Sequence, residues 1–271
     1  MASDCTQFCQ DRLAGTRIAV TNALQKCVNY YLLQCGDKPV IEGAYFLDFR
    51  PEKDGSPWHV TSEMPTIEGI PVSRHPSVSV YRGLDWGYHP DPAVCLWIAV
   101  LPDRRAIAFK EMTWKQTVAA DVAGAIKRES EGMRVIETFC DPTMIIQTGA
   151  SPYTIGDIFE QHGVPLTPST NKREVYGYAI HNYLNTIING LPQLQIVSGQ
   201  GRMGCPKLIQ TFPTLRIGHP DPNKIADGND HWVIALAYFC MGGAASPQMS
   251  HAPEVPKWMR PKMRPGYQVG M

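Results

Sequence analysis

The sequence has no excess of either charge: 25 lysines and arginines stand against 25 aspartates and glutamates in 271 residues, for a formal net charge of zero. That excludes a generic polycationic coat for nucleic acid, but acids at a centre with bases around it would cancel in the total. No run approaches the roughly 18 consecutive apolar residues of a membrane-spanning helix. The opening Met1-Ala2-Ser3-Asp4-Cys5 has no basic stretch leading into an apolar one, so it does not read as a secretory signal. No membrane partner is expected, and a cytoplasmic setting is. The phosphate-loop pattern G-x-x-x-x-G-K-S/T is missing throughout, so ATP hydrolysis is not expected of these residues. Internal repeats are missing too. With 44% hydrophobic and 18% charged residues, the chain has enough apolar matter to fill a core.

Cysteine is present but unpatterned. Cys95, Cys140 and Cys240 sit inside apolar runs and read as small buried hydrophobes in a reducing compartment. Cys5, Cys9, Cys27 and Cys35 are close enough in sequence to raise the question of zinc. Their spacing lacks the second tight knuckle and any nearby histidine, so free thiols are the expected state.

Three regions follow from the pattern. Residues 1–75 form an adaptor or linker, with a helix expected over Thr16–Leu33 and then repeated breakers from Pro51 to Pro71. Residues 76–243 carry strands at Val78–Asp85, Ala93–Leu101, Ala106–Trp114 and Val135–Asp141, and a fifth at Val164–Thr167. Helices are expected over Gln116–Glu129, Ile155–Gln161, Glu174–Ile188, Cys205–Phe212 and His231–Phe239, with a short strand at Leu194–Val197. Residues 244–271 form a proline-rich tail with Lys257, Arg260, Lys262 and Arg264 against Glu254. The three consecutive strands imply an antiparallel meander, and the whole an α/β fold with a mixed central sheet flanked by helices.

Two strands end in acids, Asp85 and Asp141, and Asp230 opens the last apolar helix. Each has a plain structural explanation, since aspartate forms turns and caps helices. Together they suggest a chemical one. Phosphodiester hydrolysis is served by two divalent cations about 3.5–4 Å apart, and magnesium or manganese prefers carboxylate oxygens gathered from distant parts of a chain.

The ordered segments Tyr81–Gly87, Phe139–Pro142, Leu194–Val197, Cys205–Gln210 and Asn229–Tyr238 resemble the motifs of the nuclease domain of tailed-bacteriophage terminase large subunits. The stretch Gly43–Phe49, with Asp54-Gly55 and Trp58–Val60, resembles the segment joining that family's two domains. The resemblance spans roughly residues 20–242. It implies a ribonuclease-H-like fold and a metal-dependent endonuclease cutting concatemeric viral DNA during genome packaging, in the cytoplasm of an infected host cell. By the same resemblance Asp85, Asp141 and Asp230 would be catalytic and would hold two Mg2+ or Mn2+ ions, with Asp227 as a further metal ligand. Double-stranded DNA, a motor ATPase domain or chain, the terminase small subunit and the portal would be the partners. Two positions depart from the family pattern: Ile234 stands where an acid is common and Ala237 where arginine is. The first is expected to concern packing.

DNA would be gripped through its phosphates. Candidates are Lys172 and Arg173 before a helix, Arg104 and Arg105 in a turn, and Arg202 and Lys207 flanking the glycine-rich stretch 199–204. His231 is a candidate for proton transfer or for a hydrogen bond in support of the metal site. Trp86 is expected at the core or its rim. The alternatives are a Holliday-junction resolvase-like nuclease of the same fold and a non-catalytic packaging module that binds DNA or a portal. Intact acids at all three positions speak against the second.

Overall fold

The computed structural model describes residues 44–147, 152–170, 172–199, 203–219, 221, 224–226 and 228–243. The Thr16–Leu33 helix, Cys5, Cys9, Cys27 and Cys35, Asp227, Arg202 and the C-terminal tail lie outside them. One seven-stranded sheet organises the chain. In chain order its strands are β1 (Val60–Thr61), β2 (Ser79–Asp85), β3 (Ala93–Val100), β4 (Ala106–Trp114), β5 (Val135–Cys140), β6 (Thr167–Pro168) and β7 (Leu194–Val197), and across the sheet they run β6-β5-β2-β3-β4-β7-β1. The meander β2-β3-β4 is antiparallel. β5 lies parallel to β2 and β6 parallel to β5 on one side, with β7 parallel to β4 and β1 parallel to β7 on the other. The five strands β4-β3-β2-β5-β6 thus have the ribonuclease-H-like arrangement. β3, the most apolar strand, is buried at every position because helices cover both faces.

Helices α1 (Ala119–Glu129) and α2 (Ile155–Gln161) cover one face, packing Val122, Ile126 and Phe159 on Leu84, Trp97 and Phe109. Thr154 opens α2 with a capping box to Asp157, which satisfies two orphan donors of the helix start. Helices α3 (Arg173–Asn185), α4 (Pro206–Thr211) and α5 (His231–Met241) cover the other face, around Leu96, Ile98, Ile180, Leu184, Leu208 and Leu236. α5 is apolar on all sides and buries every residue from Trp232 to Cys240, as a helix wedged between a sheet and another helix must. Of the first 75 residues, the described part gives β1 to the sheet edge and Phe46 and Phe49 to the core. Cys95, Cys140, Cys205 and Cys240 are free and buried. Among the described residues no helix is long and apolar enough to cross a membrane.

Three boundaries differ from expectation by three residues, the others by two at most. α1 begins at Ala119, not Gln116, because Gln116 takes a left-handed backbone (φ 52) and donates its N–H to Tyr88 O at 2.9 Å. α3 ends at Asn185, and Ile187–Ile188 pairs instead with Leu191–Pro192. Asn189-Gly190, both at positive φ, supplies the tight turn that this hairpin requires. The fifth strand is only Thr167–Pro168.

Candidate active site

The site is made by register. β2 and β5 pair in parallel with Leu84 opposite Cys140, so the next residues, Asp85 and Asp141, lie side by side where both strands end. Chain sequence alone separates them by more than fifty positions; the sheet makes them neighbours. α5 brings the third acid. It crosses β2 so closely that a Cβ on Gly83 would lie 1.9 Å from Ala235 O. Only glycine permits that approach. The helix start is thereby carried to the end of β2, where the Asp230 charge acts on Asp85.

Each carboxylate is held. Asp141 Oδ1 accepts the Thr143 N–H at 2.7 Å, capping the 3-10 turn Pro142–Ile145, and Oδ2 accepts the Tyr238 hydroxyl at 2.8 Å. Tyr176 O–H donates in turn to Tyr238 at 3.4 Å. Asp85 Oδ2 pairs with His231 Nδ1 at 2.9 Å, and His231 Nε2 lies 3.5 Å from Asp91 Oδ1. Asp230 is buried, and its carboxylate makes no capping hydrogen bond to α5. Its carbonyl receives Val233 and Ile234 N–H at 2.8 and 2.9 Å instead. Asp85, Trp86, Asp91, Asp141, Tyr176, His231, Ile234 and Tyr238 line a cavity of about 250 Å³. Gly87 permits the tight loop to Asp91, since a Cβ there would meet Asp91 O and Pro92 O at 2.6 Å.

The electrostatics follow. Burial pushes the Asp85 carboxyl up to about 6; His231 opposes the shift, and the charges of Asp230 and Asp141 add to it. The hydrogen bond to Asp85 holds the His231 imidazole above its ordinary value against its burial. Burial also raises the Tyr238 hydroxyl, with Tyr176 and the acids adding to it, so it stays a protonated donor to Asp141. Three acids crowded together, two of them (Asp85 and Asp230) buried, are a costly arrangement unless cations share it.

Comparison with known proteins gives the following. No protein-family model and no curated protein matches the sequence. Three solved structures are similar to it. The large-terminase nuclease from thermophilic phage G20c is 17% identical, with TM-score 0.46 over 61% of this chain and 83% of that one. The same nuclease with bound magnesium is 14% identical, with TM-score 0.45 over 62% and 83%. The g2p large-terminase nuclease domain of bacteriophage SPP1 with bound Mn is 19% identical, with TM-score 0.46 over 66% and 94%. Likenesses of this size leave the chemistry to be argued from the site itself.

Of the residues expected at the site, the structure brings together Asp85, Asp141, Asp230 and His231. Lys172 belongs to the same end of the sheet: three residues before it, Ser169 N–H donates to Cys140 O at 2.9 Å. Arg173 begins α3 immediately after it. Lys207 lines a second cavity described below. Arg104 and Arg105 are not brought near. Their turn follows Val100, which pairs with Ser79 at the start of β2, so a strand length of about 20 Å separates them from Asp85. Arg105 is instead paired with Asp103 at 2.8 Å. Trp86 packs edge-on to Phe159 at 5.7 Å on the rim. Ile234, expected to concern packing, also lines the acid cavity.

Sequence reasoning missed Asp91, Tyr176 and Tyr238. Tyr238 was findable: His231, Ile234 and Tyr238 follow i, i+3, i+7 on one helix face. Asp91 sits in a loop without periodicity and carried no signal.

Proposed function

We propose that this chain is a metal-dependent DNA endonuclease of the terminase large-subunit kind, hydrolysing phosphodiester bonds with two divalent cations and cutting concatemeric viral DNA during packaging. The observation that carries the reading is the adjacency of Asp85 and Asp141 at paired strand ends, with Asp230 carried to them by α5. The resemblance of the sequence motifs supports the viral setting and the partners: double-stranded DNA, a motor ATPase domain or chain, a small subunit and a portal.

The residues fit magnesium or manganese. The donors are hard carboxylate oxygens, and Asp85 is buried under like charge that a cation would relieve. Among the described residues no three His, Cys, Asp or Glu side chains close on a single point; Asp85, Asp91 and Asp141 stand around a cavity instead, with Asp230 buried behind Asp85. Magnesium suits that arrangement, because it keeps several waters and takes one or two carboxylates. Asp85, Asp141 and Asp230 would hold the ions, with Asp227 as a further candidate. Bound divalent cations would lower the pKa of water and stabilise charge on the attacking and leaving oxygens.

The chain's own groups have definite tasks. Thr143 N–H and the Tyr238 hydroxyl each take one Asp141 oxygen, fixing the carboxylate's plane while leaving lone pairs open on both atoms. His231 holds the Asp85 carboxylate by its Nδ1, and its Nε2 faces Asp91 on the cavity wall, where it can relay a proton. Ile234 and Trp86 limit water on the wall. The test is plasmid nicking with magnesium, manganese or chelator. Asp85→Asn and Asp141→Asn should each slow cutting on the order of a thousandfold, about 4 kcal/mol of barrier, with the fold intact by circular dichroism. Cutting retained in either variant would overturn the reading.

A further inference from the structure

The acid cavity is not the larger one. A second, of about 530 Å³, adjoins it and shares Asp91 and His231 as wall. Its other walls include Thr113, Lys115, Lys207, Asn229 and Trp232, of which two are cations. Neither Lys115 nor Lys207 forms an ion pair among the described residues. The fold sets both. Lys115 follows directly on the end of β4, and the next residue, Gln116, is pinned by its left-handed backbone and its N–H bond to Tyr88 O in the loop between Asp85 and Asp91. A strained non-glycine backbone persists only where the surroundings hold it, and here the surroundings are the acid-site loop. Lys207 sits in the first turn of α4, whose N–H groups at Lys207 and Leu208 are taken by the Glu111 carboxylate of β4 at 2.7 and 2.9 Å. Trp232, on the same wall, is buried with its indole Nε1 unpartnered.

We propose that this second cavity seats the backbone of the DNA strand beyond the cut, with Lys115 and Lys207 clamping a phosphate there. The clamp makes the two cavities one track: the acids take the scissile phosphate and the lysines a neighbour. β4 lies two strands from β2, about 10 Å across the sheet, so the lysines reach a phosphate close to the scissile one and not the scissile one itself. The lysines read no sequence, because phosphates carry none. This clamp rests on the nuclease reading above, and its test keeps the two apart.

The test measures binding of a fluorescein-labelled 20-base-pair duplex in chelator across a sodium chloride series, and plasmid cutting separately in magnesium or manganese. Lys115→Gln and Lys207→Gln should each weaken binding several-fold at fixed salt. Each should also flatten the slope of log K against log salt by about 0.9, the loss of one phosphate contact. Lys115→Arg should restore both, and Lys127→Gln, on α1 across the sheet, should change neither. Slopes unchanged in both glutamine variants would overturn the clamp even if the protein cuts. Wild-type protein that cuts nothing with either metal, or Asp85→Asn that cuts like wild type, would overturn the nuclease reading while the slopes still judge the lysines. Wild-type protein that does not bind the duplex overturns the clamp, and the nuclease reading falls with it only if cutting is absent as well.

Discussion

Gly83→Ala is the sharpest probe of how the acids are brought together. The added methyl would lie 1.9 Å from Ala235 O and 2.9 Å from Ala235 C, with Phe239 Cβ behind them at 3.6 Å. The obstacle is helix backbone, so no rotamer change relieves it. To restore even 3.0 Å, α5 must retreat from β2 by about 1.1 Å. Overpacking of this kind costs about 1–3 kcal/mol, read as a lowered urea midpoint at constant m-value. The same retreat carries Asp230 and His231 away from Asp85. A misplacement of about 1 Å is worth on the order of a hundredfold in rate. Cutting should therefore fall far more than the loss of folded protein explains. Gly124→Ala, inside α1 where the nearest atom is the flexible Arg128 guanidinium at 3.4 Å, should instead stabilise by about 1 kcal/mol and leave cutting alone. If Gly83→Ala keeps its urea midpoint and cuts within threefold of wild type, the seating of α5 on β2 is not what builds the site.

Other outcomes are equally definite. Tyr238→Phe removes the hydroxyl that holds Asp141 Oδ2; it should cost about 1 kcal/mol of stability and slow cutting about tenfold, and wild-type values in both would deny it an orienting role. Manganese should raise the melting temperature of wild-type protein, by about 2.7 kcal/mol of stabilisation at a hundredfold excess over Kd, and should do much less for Asp85→Asn; equal shifts would place the ion elsewhere. Asp48 ties the segment before β1 to α3: burial raises its carboxyl, but bonds from His181 at 2.6 Å and Asn185 at 2.5 Å outweigh it and leave it below 3.8. A depressed carboxyl stabilises fully above its unfolded value and loses that contribution as pH falls through the folded one. Asp48→Asn should thus destabilise at pH 7, with the difference from wild type shrinking below pH 4; a pH-independent difference would point to packing alone.

Much of this was legible in residue order. The strand over Ala106–Trp114 and the helix over Ile155–Gln161 fall where the pattern predicts, because their apolar periodicity agrees with what the core needs. Asp85 and Asp141 were legible as strand-end acids, and their adjacency follows from the parallel pairing of β2 with β5. What failed depended on partners far away in sequence. Gln116 breaks a helical pattern because it is tied to Tyr88, and the end of the meander on which Arg104 and Arg105 fall, away from Asp85, is set by strand register that local sequence does not carry. The Asn189-Gly190 turn was written in the chain and outvoted by apolar spacing through Ile188.

Ile234 shows why packing and chemistry are not separable here. An apolar residue where the resembled motif carries an acid invites a structural explanation, and Ile234 is indeed buried in a helix with no polar face. Yet helical spacing puts it between His231 and Tyr238 on the wall that faces Asp85 and Asp141. A hydrocarbon at that place solvates no charge. It helps make the desolvation that raises the Asp85 carboxyl to about 6, and so strengthens the demand of that carboxylate for a cation. The same side chain that fills the core therefore sets the electrostatics of the site.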